Sequence, residues 1–378
     1  MSKGQPIDYH VHFDKRPEID KLFNALIKAS GSDLHLKVGL SPRMRIDGVL
    51  RNTKYPALTE KALEELIFEM ITEKQREFFL ENGAFDFAHS LSAMDRFRVN
   101  IFRQKGTISL VARHISGDIP PFEKLNLPPI VQEIAKSAHD GLVLVTGPTG
   151  CGKSTTIASM IDYINRHRPC HIITIEDPIE FLHVDRKASV SQREIGIDVP
   201  NYGEALRSLM RQDPDIVLIG EMRDNETLTA AMRAAETGHL VFGTLHAASA
   251  AQTIQRILDL FPQEERDLAR QTFALTVKAV VSQQLLKGLK PEAKRIPAVE
   301  VLLATPIVKK LISEERESDI PTAIRGGRGE GMQDFTDSLE ELVRNEMISL
   351  EEAIRCAPNV EELKMALKGV RASSTGLI

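Results

Sequence analysis

Between positions 17 and 29 the apolar residues Ile19, Leu22, Phe23, Leu26 and Ile27 recur at helical spacing and give one apolar face. The pattern then changes. In SDLHLKVG, Leu34, Leu36 and Val38 alternate with polar partners, and in RMRIDGVL Met44 and Ile46 alternate up to the turn dipeptide Asp47-Gly48, which predicts hairpin strands. A helical stretch from Thr59 to Ile71 leads into Thr72-Glu73-Lys74-Gln75, a capping box that opens another helix. DRFRVNIFRQKG and TISLVARHI alternate around Gly106, so residues 1–116 are expected to form a small α+β domain with an antiparallel sheet.

Pro120, Pro121, Pro128 and Pro129 crowd the stretch 117–129 and predict a stiff linker. Beyond it, in residues 130–378, the apolar runs LVLVTG, HIITIED, IVLIGEM and LVFGTLH alternate with amphipathic helical stretches. This is the signature of a mostly parallel sheet with helices on both faces. After Ser249 the chain reads as mainly helical, and the closing RASSTGLI reads as a frayed tail.

The length of 378 residues exceeds the roughly 250 to 300 at which single cores stop growing, so two domains are the default. With 42% hydrophobic and 27% charged residues there is ample material for a core. A net charge of -5 argues against a protein that lives by neutralising many phosphates, so no nucleic-acid partner is expected. Cys151, Cys170 and Cys356 form no C-x-x-C pair, which suits reduced thiols in a cytosolic protein and speaks against a zinc site. No run of about 20 apolar residues is present, so direct membrane insertion is not expected.

The chemistry concentrates in GLVLVTGPTGCGKSTTIASMIDYI. Gly147, Pro148, Thr149, Gly150, Cys151, Gly152, Lys153 and Ser154 make a complete G-x-x-x-x-G-K-[ST] between a strand and a helix, with Thr155 next in the helix. Glycines let backbone N–H groups approach phosphate oxygens and the helix N-terminus adds its positive end. Lys153 reaches the terminal phosphates, and Ser154 offers a hydroxyl to magnesium. ATP and magnesium are the implied cofactors.

Hydrolysis needs a second metal contact and a group that orients water. Glu176, Asp177 and Glu180 lie in ITIEDPIEF, and Glu221 ends IVLIGE. A strand leaving the sheet beside the phosphate loop would project Glu221 toward Ser154, so Glu221 is assigned to the metal, through water. Glu180 follows Pro178 in a loop and becomes the candidate to polarise water. His239 and His246 bracket an apolar strand and cannot chelate one metal together. Each is open to a structural role or to sensing the γ-phosphate.

Arg96 and Arg98 share a strand face, Arg113 follows on the neighbouring strand, and Arg207 and Arg211 are four apart on the helix YGEALRSLMRQ. Singly, each reads as a solvated or ion-paired arginine. As a set they can supply fingers across a subunit interface.

GPTGCGKSTT, TIEDPIEF, SQREIG, EALRSLMRQDPDIVLIGEMRD and AAETGHLVFGTLHA together resemble the secretion ATPase superfamily, in its PilT/PilU branch of type IV pilus retraction ATPases. SDLHL and RFRVNIF carry the resemblance into the N-terminal part, so it spans roughly residues 17 to 369. It implies a homo-hexameric motor of two-domain subunits, with a PAS-like N-terminal domain and a RecA-like P-loop ATPase domain. The motor would sit in the cytoplasm against the inner membrane, on a platform protein at the pilus base.

Carried over by motif, Lys153 and Ser154 belong to Walker A, Glu180 is the catalytic glutamate, Glu221 is the Walker B acid, and His239 and His246 lie in the His box. Arg96, Arg98 and Arg113 are the N-terminal candidates to complete the site. The longer N-terminal extension and four-cysteine module usual in assembly and type II secretion relatives do not occur here, which points to the retraction branch. In PIVKKLISEE, Ile307 to Ser313 replace the A-I-R-N-L-I-R often found in PilT members; the leucine and isoleucine survive and the arginines do not, the first being exchanged for Lys309. The alternative is therefore a PilU-like accessory ATPase joined to a paralogous motor, with a nucleic-acid translocase a more distant reading.

Overall fold

The computed structural model describes residues 17–291 and 293–370, so RASSTGLI lies outside the described residues. Chain contacts divide it into two compact units. One runs through Asp118 and includes Ile179–Val184; the other comprises Ile119–Pro178 and the chain from Asp185 onward.

In the first unit, α1 (Asp20–Lys28) precedes β1 (Asp33–Lys37), β2 (Arg43–Ile46), β3 (Val49–Asn52), α2 (Glu60–Phe68), α3 (Glu73–Asn82), β4 (Ala84–Ser92), β5 (Asp95–Gln104) and β6 (Thr107–Ser116). The strands form one antiparallel sheet in the order β3-β2-β1-β6-β5-β4. Asp47 and Gly48 turn β2 into β3 with φ of 51° and 79°, the two left-handed residues that match the twist of the strands they join. α3 opens on the expected capping box, Thr72 accepting from the Gln75 N–H at 3.3 Å and donating its own N–H to Gln75 Oε1 at 2.8 Å. Strand β4 is an addition to the sequence reading. It follows Gly83 without a turn cluster and buries Phe85, Phe87 and His89 on alternate positions. The core, with Phe23, Phe97, Val99 and Ile101 at its centre, lies on one face of the sheet.

The second unit runs α4 (Pro129–Ser137), β7 (Gly141–Thr146), α5 (Lys153–His167), β8 (His171–Glu176), β9 (Ser189–Glu194), α6 (Tyr202–Leu209), β10 (Ile216–Ile219), α7 (Asn225–Glu236), β11 (Leu240–Leu245) and α8 (Ala250–Asp259). It continues through α9 (Arg266–Thr276), β12 (Val277–Lys287), β13 (Arg295–Leu303), α10 (Pro306–Ser313), α11 (Ile320–Gly326), α12 (Phe335–Arg344), α13 (Leu350–Cys356) and α14 (Val360–Leu367). The sheet order is β13-β12-β7-β11-β10-β8-β9, parallel throughout except for β13. β7 and β11 are buried at every position. Val143 and Val145 pack under α5, and Leu142 and Leu144 face the opposite layer with Ala231, Ile254 and Phe273. Helices thus cover both faces, as the apolar runs require.

The region after Ser249 is mostly helical, but it also contains β12 and β13, a long hairpin that extends the sheet beside β7 and that the sequence reading did not include. Both faces of VKAVVSQQLLK are covered, so its sequence lacks the alternation that marks a half-buried strand. No described helix is long and apolar enough to cross a membrane.

Glu300, in β13, is only 7% exposed and its Oε1 accepts the Ala250 N–H at the start of α8 at 2.7 Å. Burial, opposed by that N–H and assisted by Asp334, pushes its carboxyl from 4.5 up to about 7. The folded state therefore holds a proton that the unfolded chain releases, and stability falls as pH rises from 4.5 to about 7. Glu300→Gln is expected to remove this component, on the order of 3 kcal/mol, from the difference in unfolding free energy between pH 4.5 and pH 8. Denaturant titrations of both proteins at the two pH values measure it.

Candidate functional site

At the end of β7 the chain must leave a fully buried strand and enter α5 within six residues, Gly147 to Gly152. Gly147 has φ 145°, and a Cβ there would lie 2.3 Å from the Gln283 carbonyl oxygen and 2.6 Å from Cys151 Sγ, so only glycine fits. Gly152, at φ 94°, is the N-cap of α5 and brings no side-chain acceptor to the first N–H groups. Those donors and the helix dipole make an anion site. Lys153 Nζ donates to the carbonyls of Gly147 at 2.9 Å and Pro148 at 3.1 Å, which holds its ammonium against the loop. Pro148, Thr149 and Gly150 are exposed, Ser154 and Thr155 are half-buried on the first turn, and Cys151 is buried with its thiol pushed up by that burial.

Glu221 leaves the carboxyl end of β10. β11 lies between β10 and β7, so the strand that delivers Glu221 is second from the phosphate loop and not directly beside it. The exit is pinned, because the Thr244 hydroxyl donates to the Gly220 carbonyl at 2.5 Å and the Met222 N–H to the Thr244 carbonyl at 3.0 Å. Met222 folds against Gly243, where a Cβ would meet its Cε at 2.1 Å.

Arg223 donates to Glu221 Oε2 at 2.7 Å, and His246 Nε2, just past β11, lies 3.1 Å from Oε1. The Arg223 hydrogen bond, against burial and with help from the charges of Arg223, His246 and Lys153, holds the Glu221 carboxyl below its usual range. An ionised carboxylate at neutral pH and the Ser154 hydroxyl are hard oxygen donors of the kind magnesium takes, usually with several waters retained. The residues fit the ion. Sequence reasoning missed Arg223, whose charge in GEMRD is the signal that was available.

His239 is placed differently. It precedes β11, pairs with the Ala234 carbonyl at 3.0 Å and the Thr237 hydroxyl at 3.1 Å, and so sits at the amino end of a strand whose carboxyl end faces the phosphate loop. Six residues of strand, about 20 Å, separate the two ends. The expectation that His239 contacts nucleotide is corrected for this chain's own loop. Arg211 is also off its expected helix, because α6 ends at Leu209 and Arg211 lies in the following turn, exposed. Arg207 is exposed on α6, 3.7 Å from Glu226 of α7. Glu176 accepts from the Thr174 hydroxyl at 2.6 Å and the Gln192 amide at 3.1 Å, which engages it inside the sheet.

The remaining expected site residues belong to the first unit. Arg96 and Arg98 face away from the buried Phe97 and Val99, and Arg98 pairs directly with Arg113 across β5 and β6. Arg113 is committed to Asp33, donating from Nε at 2.9 Å. Burial raises the Asp33 carboxyl, but the Ser32 hydroxyl and Arg113 together hold it below its usual range. Glu180 is exposed on Ile179–Val184, the segment that groups with this unit and whose Leu182 N–H donates to the Ser116 carbonyl at 3.3 Å.

A mostly parallel sheet with a phosphate loop after a central strand, and an acid and a histidine at neighbouring strand ends, defines the P-loop ATPase class. The family model described as Type II/IV secretion system protein matches residues 92–372, and the chain belongs to that family. It is 44% identical over 336 residues to the type IV pilus retraction ATPase PilT of Pseudomonas aeruginosa, covering 89% of this chain and 97% of that one. It is 38% identical to the type IV pilus ATPase PilU of the same organism, covering 93% and 91%. A crystal structure of the pilus retraction motor PilT with bound ADP superposes with a TM-score of 0.83 at 40% identity, covering 93% of this chain and 99% of that one. The second unit is RecA-like and the first is α+β.

Proposed function

We propose that this chain is a motor ATPase that hydrolyses ATP to retract a type IV pilus. The observation that carries the reading is the phosphate loop on α5 with Glu221 held ionised by Arg223 and His246, in a chain 44% identical to a pilus retraction ATPase. Lys153 and the N–H groups of the loop bind the phosphates, and magnesium would be held by the Ser154 hydroxyl and, through water, by Glu221. The ion, when bound, neutralises charge on the β- and γ-phosphates. Glu180 orients and deprotonates the attacking water, and His246 couples Glu221 to the end of β11. Arg96, Arg98 and Arg113 of the first unit and Arg207 and Arg211 of the second are the candidates to reach a neighbouring subunit in a homo-hexamer, where Arg113 would exchange Asp33 and Arg207 would exchange Glu226 for the new contact. The ring works at the cytoplasmic face of the inner membrane, on a platform protein.

A second reading, an accessory ATPase that joins a paralogous motor, is favoured by one feature. Lys309 and Ser313 stand on α10 where retraction motors often carry arginines, and Lys309 Nζ is spent on the Leu275 carbonyl at 2.9 Å. Expression in a strain lacking all of its retraction ATPases separates the two. Twitching restored by this chain alone is expected, and twitching restored only with a paralogue present establishes the accessory role.

A further inference from the structure

A loop that turns its N–H groups toward phosphates turns its carbonyls outward, into protein, where each needs a donor. Lys153 serves the carbonyls of Gly147 and Pro148. The Cys151 carbonyl is served from another strand, by Gln283 Nε2 of β12 at 2.6 Å. The register explains the reach, because Ser282 pairs with Thr146 and Gln283 therefore lies level with the first loop glycine.

Gln283 is 2% exposed, and its Oε1 accepts from the Thr156 hydroxyl of α5, itself 3% exposed, at 3.0 Å. This sets the amide the right way round. The reverse orientation would aim Oε1 at the Cys151 carbonyl, two acceptors with no proton between them and no water to help. The same residue lies against two of the three loop glycines, Gly147 and Gly152. Its carbonyl oxygen occupies the space a Cβ at Gly147 would take, and its Nε2 lies 3.1 Å from a Cβ built on Gly152.

We propose that Gln283 is a positioning residue for nucleotide binding: its amide, oriented by Thr156, holds the Cys151 carbonyl turned away from the phosphates and so keeps the loop N–H groups turned toward them. β12 thereby becomes part of the phosphate site without touching nucleotide. The inference rests on the phosphate loop being the nucleotide site, and ADP binding by the unaltered protein tests that separately.

The experiment measures the Kd for magnesium ADP, the KM and kcat for ATP, and the melting temperature without nucleotide, in the full chain. Gln283→Met keeps length and apolar volume but has no donor. It is expected to weaken ADP binding and raise KM about tenfold, the size of one lost buried hydrogen bond, with a smaller change in kcat once nucleotide saturates the loop. Thr156→Val, which leaves Gln283 in place without its orienting partner, is expected to give about a threefold effect in the same direction, and Thr156→Ser to restore wild-type values. If unaltered protein binds ADP while both variants bind it equally well, the proposal is overturned, even where the nucleotide-free melting temperature has fallen. Should Gln283→Met fail to fold, the Thr156 pair decides alone. Failure of the unaltered protein to bind ADP overturns the nucleotide-site reading and the proposal with it.

Discussion

Lys153→Ala is expected to weaken magnesium ATP binding by about 100-fold or more and to leave no measurable turnover, the scale at which a buried-site charge contact to a reacting group acts. Lys153 begins α5 with its ammonium on the carbonyls of Gly147 and Pro148. Its loss removes a positive charge from the phosphates and also leaves those two carbonyls without their donor, which loosens the loop, so both consequences act in the same direction. Lys153 is half-buried and packs no core, so the melting temperature without nucleotide should change little. Equilibrium binding of a fluorescent ATP analogue and phosphate release check the two halves. Binding within a few-fold of wild type would remove Lys153 from the site.

Glu180→Gln is expected to behave differently, with ATP and ADP bound as by wild type and turnover lowered by a factor of about 10² to 10⁴, the usual range for a general base. Glutamine keeps the shape of the side chain and loses only the charge that accepts a proton. Glu180 is exposed and makes none of the contacts that build the phosphate loop, so binding has no reason to suffer. Its segment, Ile179–Val184, leaves β8 through Asp177 and Pro178 and groups with the first unit.

The sequence showed the phosphate loop plainly because its chemistry is local. Glycines with left-handed backbones, a lysine and a hydroxyl must follow one another at fixed spacing, and they do at 147–154. The capping box at Thr72 and the Asp47-Gly48 turn were legible for the same reason. What escaped depends on neighbours distant in the chain. β12 and β13 lack alternation because both faces are covered, and with them went Gln283, a polar residue in the run VVSQQLL whose partner Cys151 is 132 positions away. The strand order was equally hidden, so Glu221 was placed beside β7 when β11 intervenes. His239 and His246 look alike as residues flanking one strand, and only the direction of that strand relative to β7 separates the one paired with Glu221 from the one tied to the end of α7.

Single-turnover ATP hydrolysis followed across a magnesium titration tests most directly whether metal holding and water activation are divided between two glutamates. With the division in place, Glu221→Gln needs more magnesium to reach its maximum rate, while Glu180→Gln keeps the wild-type magnesium midpoint and reaches a maximum lower by about 10² to 10⁴. Hydrolysis by Glu180→Gln at the wild-type maximum, or a magnesium midpoint unmoved in Glu221→Gln, contradicts it.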